Sequence, residues 1–151
     1  MERTDVGQQQ QLNGKKVSLV CGGNILRGWE SYDCEKLGAD VMALDLNTLP
    51  LPFEDESLVM IFAENVLEHC SPSHALAILD ECYRSLKAGG IIRLSVSVLT
   101  KLKDTYARDI INGYGNGSVW NHDLVLTYLE FAGFKAGVIR DESTARYEAI
   151  K

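Results

Sequence analysis

The sequence predicts an α/β fold built on a mainly parallel sheet with an antiparallel last strand. Three observations carry that reading. Short apolar or aromatic runs at about 16–21, 29–33, 40–44 and 58–63 each empty into glycines, an acid or a polar loop. Beyond residue 70, helical repeats interleave with further strands, the pattern of helices layered on a sheet. The chain then closes on two short strands, near 136–140 and 146–150, and such a hairpin on a parallel sheet makes one antiparallel edge strand.

Each element has its own local signal. Val17-Ser18-Leu19-Val20-Cys21 runs directly into Gly22-Gly23-Asn24. A short run of this kind bounded by turn residues suits a covered parallel strand. Glycines after it let the backbone take positive φ and let a ligand approach, or simply let the chain turn. About eight residues separate this strand from Trp29-Glu30-Ser31-Tyr32-Asp33. A crossover carrying a full helix needs a dozen or more, so the first crossover is expected to shrink to a turn. The third strand ends in Asp45-Leu46, and the acidic, proline-punctuated loop 49–57 leads to the uniformly apolar Leu58-Val59-Met60-Ile61-Phe62-Ala63.

Ser71 and Pro72 suit an N-cap and first helical position. Leu76, Leu79, Tyr83 and Leu86 recur at helical spacing, and Gly89-Gly90 is expected to close that helix. A strand at 91–98, a helix at Lys101–Ile111, a glycine-rich loop at 112–118 and a helix from Asp123 to Ala132, stopped by Gly133, complete the order. Residues 1–14 read as a polar lead-in and 15–151 as one domain.

Composition narrows the function. The 151 residues are 46% hydrophobic and 24% charged, as in an ordinary globular protein with a core of its own. No apolar run is long enough for a membrane span and the N-terminus lacks a signal-peptide core, so a cytoplasmic protein without a membrane partner is expected. The net charge of −6, with no block of basic residues, argues against nucleic acid as the main partner. Cys21, Cys34, Cys70 and Cys82 form no Cys-x-x-Cys pair, and four reduced, mostly buried thiols are expected, with no metal site. The sequence admits a homodimer without fixing the oligomeric state.

Several motifs are excluded. Gly23-Asn24-Ile25-Leu26-Arg27-Gly28 has the glycine spacing of a phosphate loop, but Trp29-Glu30 follows it in place of Lys and Ser/Thr. Gly-x-Gly-x-x-Gly and Gly-x-Ser-x-Gly are both absent. What remains is a glycine turn after the first strand, acids ending the second and third, and a polar loop after the fourth. All lie on one sheet edge, where open α/β sheets bind ligands. A carboxylate at a strand end suits a ribose diol, because it accepts from both hydroxyls.

Here the chain resembles the class I S-adenosylmethionine-dependent methyltransferases, and in particular the small methyltransferase type 11-like proteins. The matching residues are Cys21-Gly22-Gly23-Asn24 with Gly28-Trp29, then Asp33, Asp45-Leu46, the loop 51–57, Val66-Leu67-Glu68-His69 and Tyr83–Gly90, with Phe131-Ala132-Gly133-Phe134 further on. The resemblance implies a three-layer, Rossmann-like fold of seven strands and S-adenosylmethionine as cofactor. It puts Cys21, Gly22, Gly23 and Asn24 at the methionine end, Asp33 on the ribose, Asp45 and Leu46 by the adenine, and Glu64 and Asn65 along the fourth strand. It implies methyl transfer to a small-molecule or glycan-type acceptor, with His69, then Glu68, as the base where one is needed; His69 reads equally well as a helix-start residue. Two departures stand out. Val20 replaces a glycine usual in the family, and Val59 replaces an aspartate. With the short first crossover, they leave open a non-catalytic module that binds the cofactor or a partner protein.

Overall fold

The computed structural model describes residues 12–20, 22, 24–35, 38–97, 120–140 and 144–151. Its strands are β1 (Lys15–Leu19), β2 (Glu30–Asp33), β3 (Val41–Ala43), β4 (Leu58–Glu64), β5 (Leu86–Ser97), β6 (Lys135–Arg140) and β7 (Thr144–Ile150). They form one sheet in the order β3-β2-β1-β4-β5-β7-β6. Neighbours among β1 to β5 pair in parallel, while β7 pairs antiparallel with both β5 and β6. The expected antiparallel strand is therefore present but is not an edge: β7 inserts between β5 and β6, and β6 becomes the border. From β1 the chain goes first to β2 on one side and later to β4 on the other. That reversal opens a crevice beyond the carboxyl ends of these strands.

Alternation along the strands separates the two faces of the sheet. Val17 and Leu19 of β1, Ile61 and Ala63 of β4, Ile92, Leu94 and Val96 of β5, and Tyr147 and Ala149 of β7 join one buried cluster. Into the same cluster go Ala75, Ile78, Leu79 and Cys82 of α1 (Pro72–Ser85) and Val125, Leu129 and Ala132 of α2 (His122–Ala132). Both helices thus cover one face, and they pack against each other. The intervening residues, including Lys16, Ser18, Phe62, Glu64, Arg93, Ser95, Arg146 and Glu148, belong to the opposite face.

Helix α1 starts as read: Ser71 Oγ accepts from the His74 N–H, with Pro72 at the first position. Its end differs from expectation. The helix stops at Ser85, because Leu86 turns extended (φ −77°, ψ 141°), is fully buried and pairs with Leu58 of β4. The Glu56 and Ser57 N–H groups reinforce this by donating to the carbonyls of Arg84 and Ser85. Strand pairing has overridden helical periodicity, and Gly89 (φ +80°) bends an extended segment in place of closing a helix. Helix α2 is capped by Asn121 and closed by Gly133 in the left-handed region (φ +106°).

Between β1 and β2 the described residues form turns and no helix, in line with the shortened first crossover. The helix expected at 101–111 and the loop at 112–118 lie outside the described residues. Trp120 is a packing residue, 1% exposed and edge-on to Tyr128 at 4.9 Å. Trp29 is half-buried and meets Phe62 edge-on at 6.2 Å.

Candidate cofactor site at the carboxyl edge of the sheet

The site is organised by Asp33. It ends β2 with its side chain buried, and its Oδ2 accepts the Gly22 N–H at 2.8 Å. Oδ1 accepts from the Cys34 thiol at 3.3 Å and from the Glu35 N–H at 3.4 Å. Burial pushes this carboxyl's pKa up, but the donors from Gly22, Cys34 and Glu35 outweigh it and hold the group below its ordinary value. Asp33 is thus a fixed anion. A carboxylate oxygen has two lone pairs, so Oδ2 keeps room for another donor, such as a ribose hydroxyl.

Gly22 takes φ +56°, the left-handed region, and an ideal Cβ built on it would meet nothing within 4 Å among the described residues. No described residue crowds the turn, so its backbone could be approached by a ligand. Just before it, Val20 also has positive φ (+54°), unusual for a β-branched residue, while its side chain packs against the core. Cys21 and Gly23 lie outside the described residues; Asn24 is exposed beside the turn.

The next strand supplies a second turn. The Leu44 N–H donates to the Asp33 carbonyl at 2.8 Å, tying the end of β3 to the end of β2. Asp45 is exposed and closes its own turn, accepting the Asn47 N–H at 2.9 Å and the Thr48 hydroxyl at 3.2 Å. Leu46 is half-buried, and its carbonyl accepts from His74 Nε2 at 2.7 Å. A carbonyl only accepts, so Nε2 carries the proton. Sequence reasoning missed His74 because its partner is 28 residues away.

Arg84, within the Tyr83–Gly90 stretch, braces the loop that follows. Its guanidinium donates to the carbonyls of Leu51 and Phe53 and to the carboxylates of Asp55 and Glu81. Glu81 in turn accepts the Leu51 N–H at 2.8 Å. The Arg84 contact comes first in holding the Glu81 carboxyl below its ordinary pKa.

At the end of β4, Glu64 is half-buried and Asn65 is exposed with φ +51°. The Asn65 N–H donates to the Ser95 carbonyl at 2.9 Å. A single 3-10 turn, Leu67–His69, follows and separates the two expected bases. Glu68 is buried, whereas His69 is exposed and accessible to an acceptor from solvent. The fold therefore brings Gly22, Asp33, Asp45 and Leu46 into one bonded frame and sets Glu64 and Asn65 on the adjacent strand.

The described cysteines are free: Cys34 is exposed, Cys70 half-buried and Cys82 buried, so mostly buried thiols are not what these three show. Burial pushes the Cys82 thiol up to about 12. Among the described residues, no three His, Cys, Asp or Glu side chains gather as a metal site would need. None of their helices is long and apolar enough to cross a membrane.

The chain resembles known methyltransferases in sequence and in fold. Residues 25–94 match the family described as a methyltransferase domain. A tRNA N(3)-methylcytidine methyltransferase, Mettl2 of Drosophila melanogaster, is 35% identical over 71 residues, which are 45% of this chain and 21% of that protein. A solved structure of PigF with SAH superposes with a TM-score of 0.70 at 19% identity, over 91% of this chain and 50% of that one. An S-adenosylmethionine-dependent methyltransferase from Mesorhizobium loti gives 0.68 at 14% identity, over 91% and 90%. The chain thus spans about a fifth of the curated relative (21%) and half of PigF (50%). Residues 25–94 thus match the methyltransferase-domain family, and the chain shares the Rossmann-like fold of PigF and of the Mesorhizobium loti S-adenosylmethionine-dependent methyltransferase.

Proposed function

We propose that the chain binds S-adenosylmethionine along this edge and transfers its methyl group to a small-molecule acceptor. The observation that carries the reading is the Gly22–Asp33 hydrogen bond, which locks an open glycine turn and an ionised strand-end acid into one frame. PigF is solved with SAH, and human N-acetylserotonin methyltransferase, of the same fold at TM-score 0.64, is solved with SAM.

When bound, the cofactor supplies a methyl group already activated by a sulfonium. The protein's work is then mainly alignment of donor and acceptor, which is worth several kcal/mol. Gly22 offers its open turn to the amino-acid end and Asp33 Oδ2 accepts from the ribose. The Asp45–Leu46 turn, held by His74, flanks the adenine, with Glu64 and Asn65 along the remaining side. His69 accepts a proton where the nucleophile must lose one.

Calorimetric titration with S-adenosylhomocysteine tests the reading. Asp33→Asn, which keeps the shape but removes the charge, is expected to weaken binding by roughly ten- to a hundredfold, the range for a hydrogen bond to a charged group. A folded mutant with unchanged affinity would remove Asp33 from the site. Parent protein that does not bind at millimolar ligand would refute the function and leave the fold.

A second acceptor, tRNA, is favoured by one observation, the likeness to Mettl2. The acidic balance of −6 opposes it, since phosphate binding rests on clustered Lys and Arg. Salt-dependent retention of tRNA by the protein would reverse the preference.

A further inference from the structure

On the sheet face away from α1 and α2, a cavity of about 420 Å³ opens over β4, β5 and β7. Phe62, Glu64, Arg93, Ser95, Arg146 and Glu148 line it. Two cross-strand rows explain the lining. In one, Phe62 pairs with Arg93 and Arg93 with Glu148; in the next, Glu64 pairs with Ser95 and Ser95 with Arg146. The first row is internally satisfied, because Arg93 Nε donates to Glu148 at 2.8 Å. The second row is not. Ser95 is 4% exposed and its Oγ has no hydrogen-bond partner among the described residues. Arg146 makes no ion pair among them.

A buried hydroxyl without a partner costs stability unless something completes it. Here it stands between an acid and a guanidinium whose strands are two spacings, ~10 Å, apart. The half-buried Phe62 ring adds an apolar wall. Such a site asks for a ligand that is anionic at one end, flat and apolar in the middle, and hydroxylated at the other end.

We propose that this cavity is the acceptor pocket, and that it takes a small hydroxyaryl carboxylate. The carboxylate pairs with Arg146, the ring lies along Phe62, and the hydroxyl reaches Ser95 and Glu64. The inference rests on the methyl-transfer reading for its chemistry, and Glu64 is the residue the two sites share. In the transfer the hydroxyl oxygen forms a bond to the methyl carbon. The carbon–sulfur bond breaks with its electron pair remaining on sulfur, and the phenolic proton passes to the carboxylate of Glu64, which lines this cavity where His69 does not, and on to solvent.

The test is titration of the intact protein with 4-hydroxybenzoate and, separately, with benzoate and S-adenosylhomocysteine. Saturable binding of 4-hydroxybenzoate is expected, weakened about tenfold or more by Arg146→Met, as for loss of a charge-assisted hydrogen bond. Arg146→Lys should restore part of that loss. Ser95→Ala should weaken 4-hydroxybenzoate several-fold and leave benzoate unchanged, which a purely structural serine would not do. Arg146 is exposed, so its variants test binding without disturbing the core. No saturation at millimolar 4-hydroxybenzoate, or equal affinity in parent and Arg146→Met, overturns the proposal. The S-adenosylhomocysteine arm separates the two readings: a protein that binds that ligand but no hydroxybenzoate keeps the cofactor site and loses this pocket, and the reverse result keeps the pocket and loses methyl transfer.

Discussion

Val20 offers a test with an inverted sign. Its φ of +54° lies where an L-residue is strained by ~1–2 kcal/mol, and β-branching makes the position worse. Its side chain packs half-buried against the core, so Val20→Ala removes two methyl groups and costs about 1 kcal/mol of burial while keeping the left-handed strain. Val20→Gly loses slightly more burial and ~0.5–1 kcal/mol of backbone entropy, but relieves the strain. The balance puts Val20→Gly about 0.5 kcal/mol above Val20→Ala, whereas at an unstrained strand position glycine would fall ~0.5–1 kcal/mol below alanine. Urea unfolding resolves this, since slopes of about 1–3 kcal/mol/M turn the difference into a few tenths molar in midpoint. Because the side chain faces the core, S-adenosylhomocysteine affinity should be the same in parent and glycine mutant. Alanine more stable than glycine would refute the strain argument; tighter binding by the glycine mutant would show that the side chain intrudes on the cofactor.

Asp33 should make stability depend on acid. Its folded pKa is depressed, so the stabilisation is present above the unfolded value and is lost as pH falls through the folded one, below about pH 4. Melting curves against pH should therefore fall more steeply for the parent than for Asp33→Asn, and parallel curves would show that the folded protein does not hold this carboxyl below its ordinary range. Arg84→Met should cost about 2–3 kcal/mol, because it strips donors from the Leu51 and Phe53 carbonyls and leaves Glu81 without its cation. A loss under about 0.5 kcal/mol in chemical denaturation, the level of a surface pair, would show that the brace is solvent-screened.

The strands, and the sheet edge proposed to hold the cofactor, were legible because their signals are local. A strand end followed by Gly22, an acid closing β2 and an acid opening the next loop can each be read within a few residues. The Ser71-Pro72 helix start and the Gly133 stop were equally plain. What stayed hidden depends on partners distant in sequence. The helix at Ser85 looked able to continue to Gly89, and only the pairing of Leu86 with Leu58 stops it. His74 on the Leu46 carbonyl and Arg84 on the Leu51 loop join residues 28 to 33 positions apart. Local patterns carry no such information. The insertion of β7 beside β5 is likewise a matter of topology, since a closing hairpin does not say which of its strands meets the sheet.

The two faces of the sheet make the same point about function. Leu58–Ala63 is apolar throughout, and read alone it suggests a strand buried identically on both sides. Its neighbours decide otherwise. On the helix-covered side Ile61 meets Val17 and Ile92, and Ala63 meets Leu19 and Leu94, which is ordinary core. On the other side Phe62 sits between Ser18 and Arg93, and Glu64 stands beside Ser95, with Arg93 and Ser95 in turn facing Glu148 and Arg146. A face meant for helix packing would be filled with branched apolar side chains, because charged residues are costly to bury. Serines and an arginine–glutamate pair instead leave room and polarity above the strand ends. The same β4 that anchors the core with Ile61 and Ala63 thus turns Phe62 and Glu64 to the opposite face, where the proposed ligand would meet them, and period-two alternation is the physical reason one strand can do both.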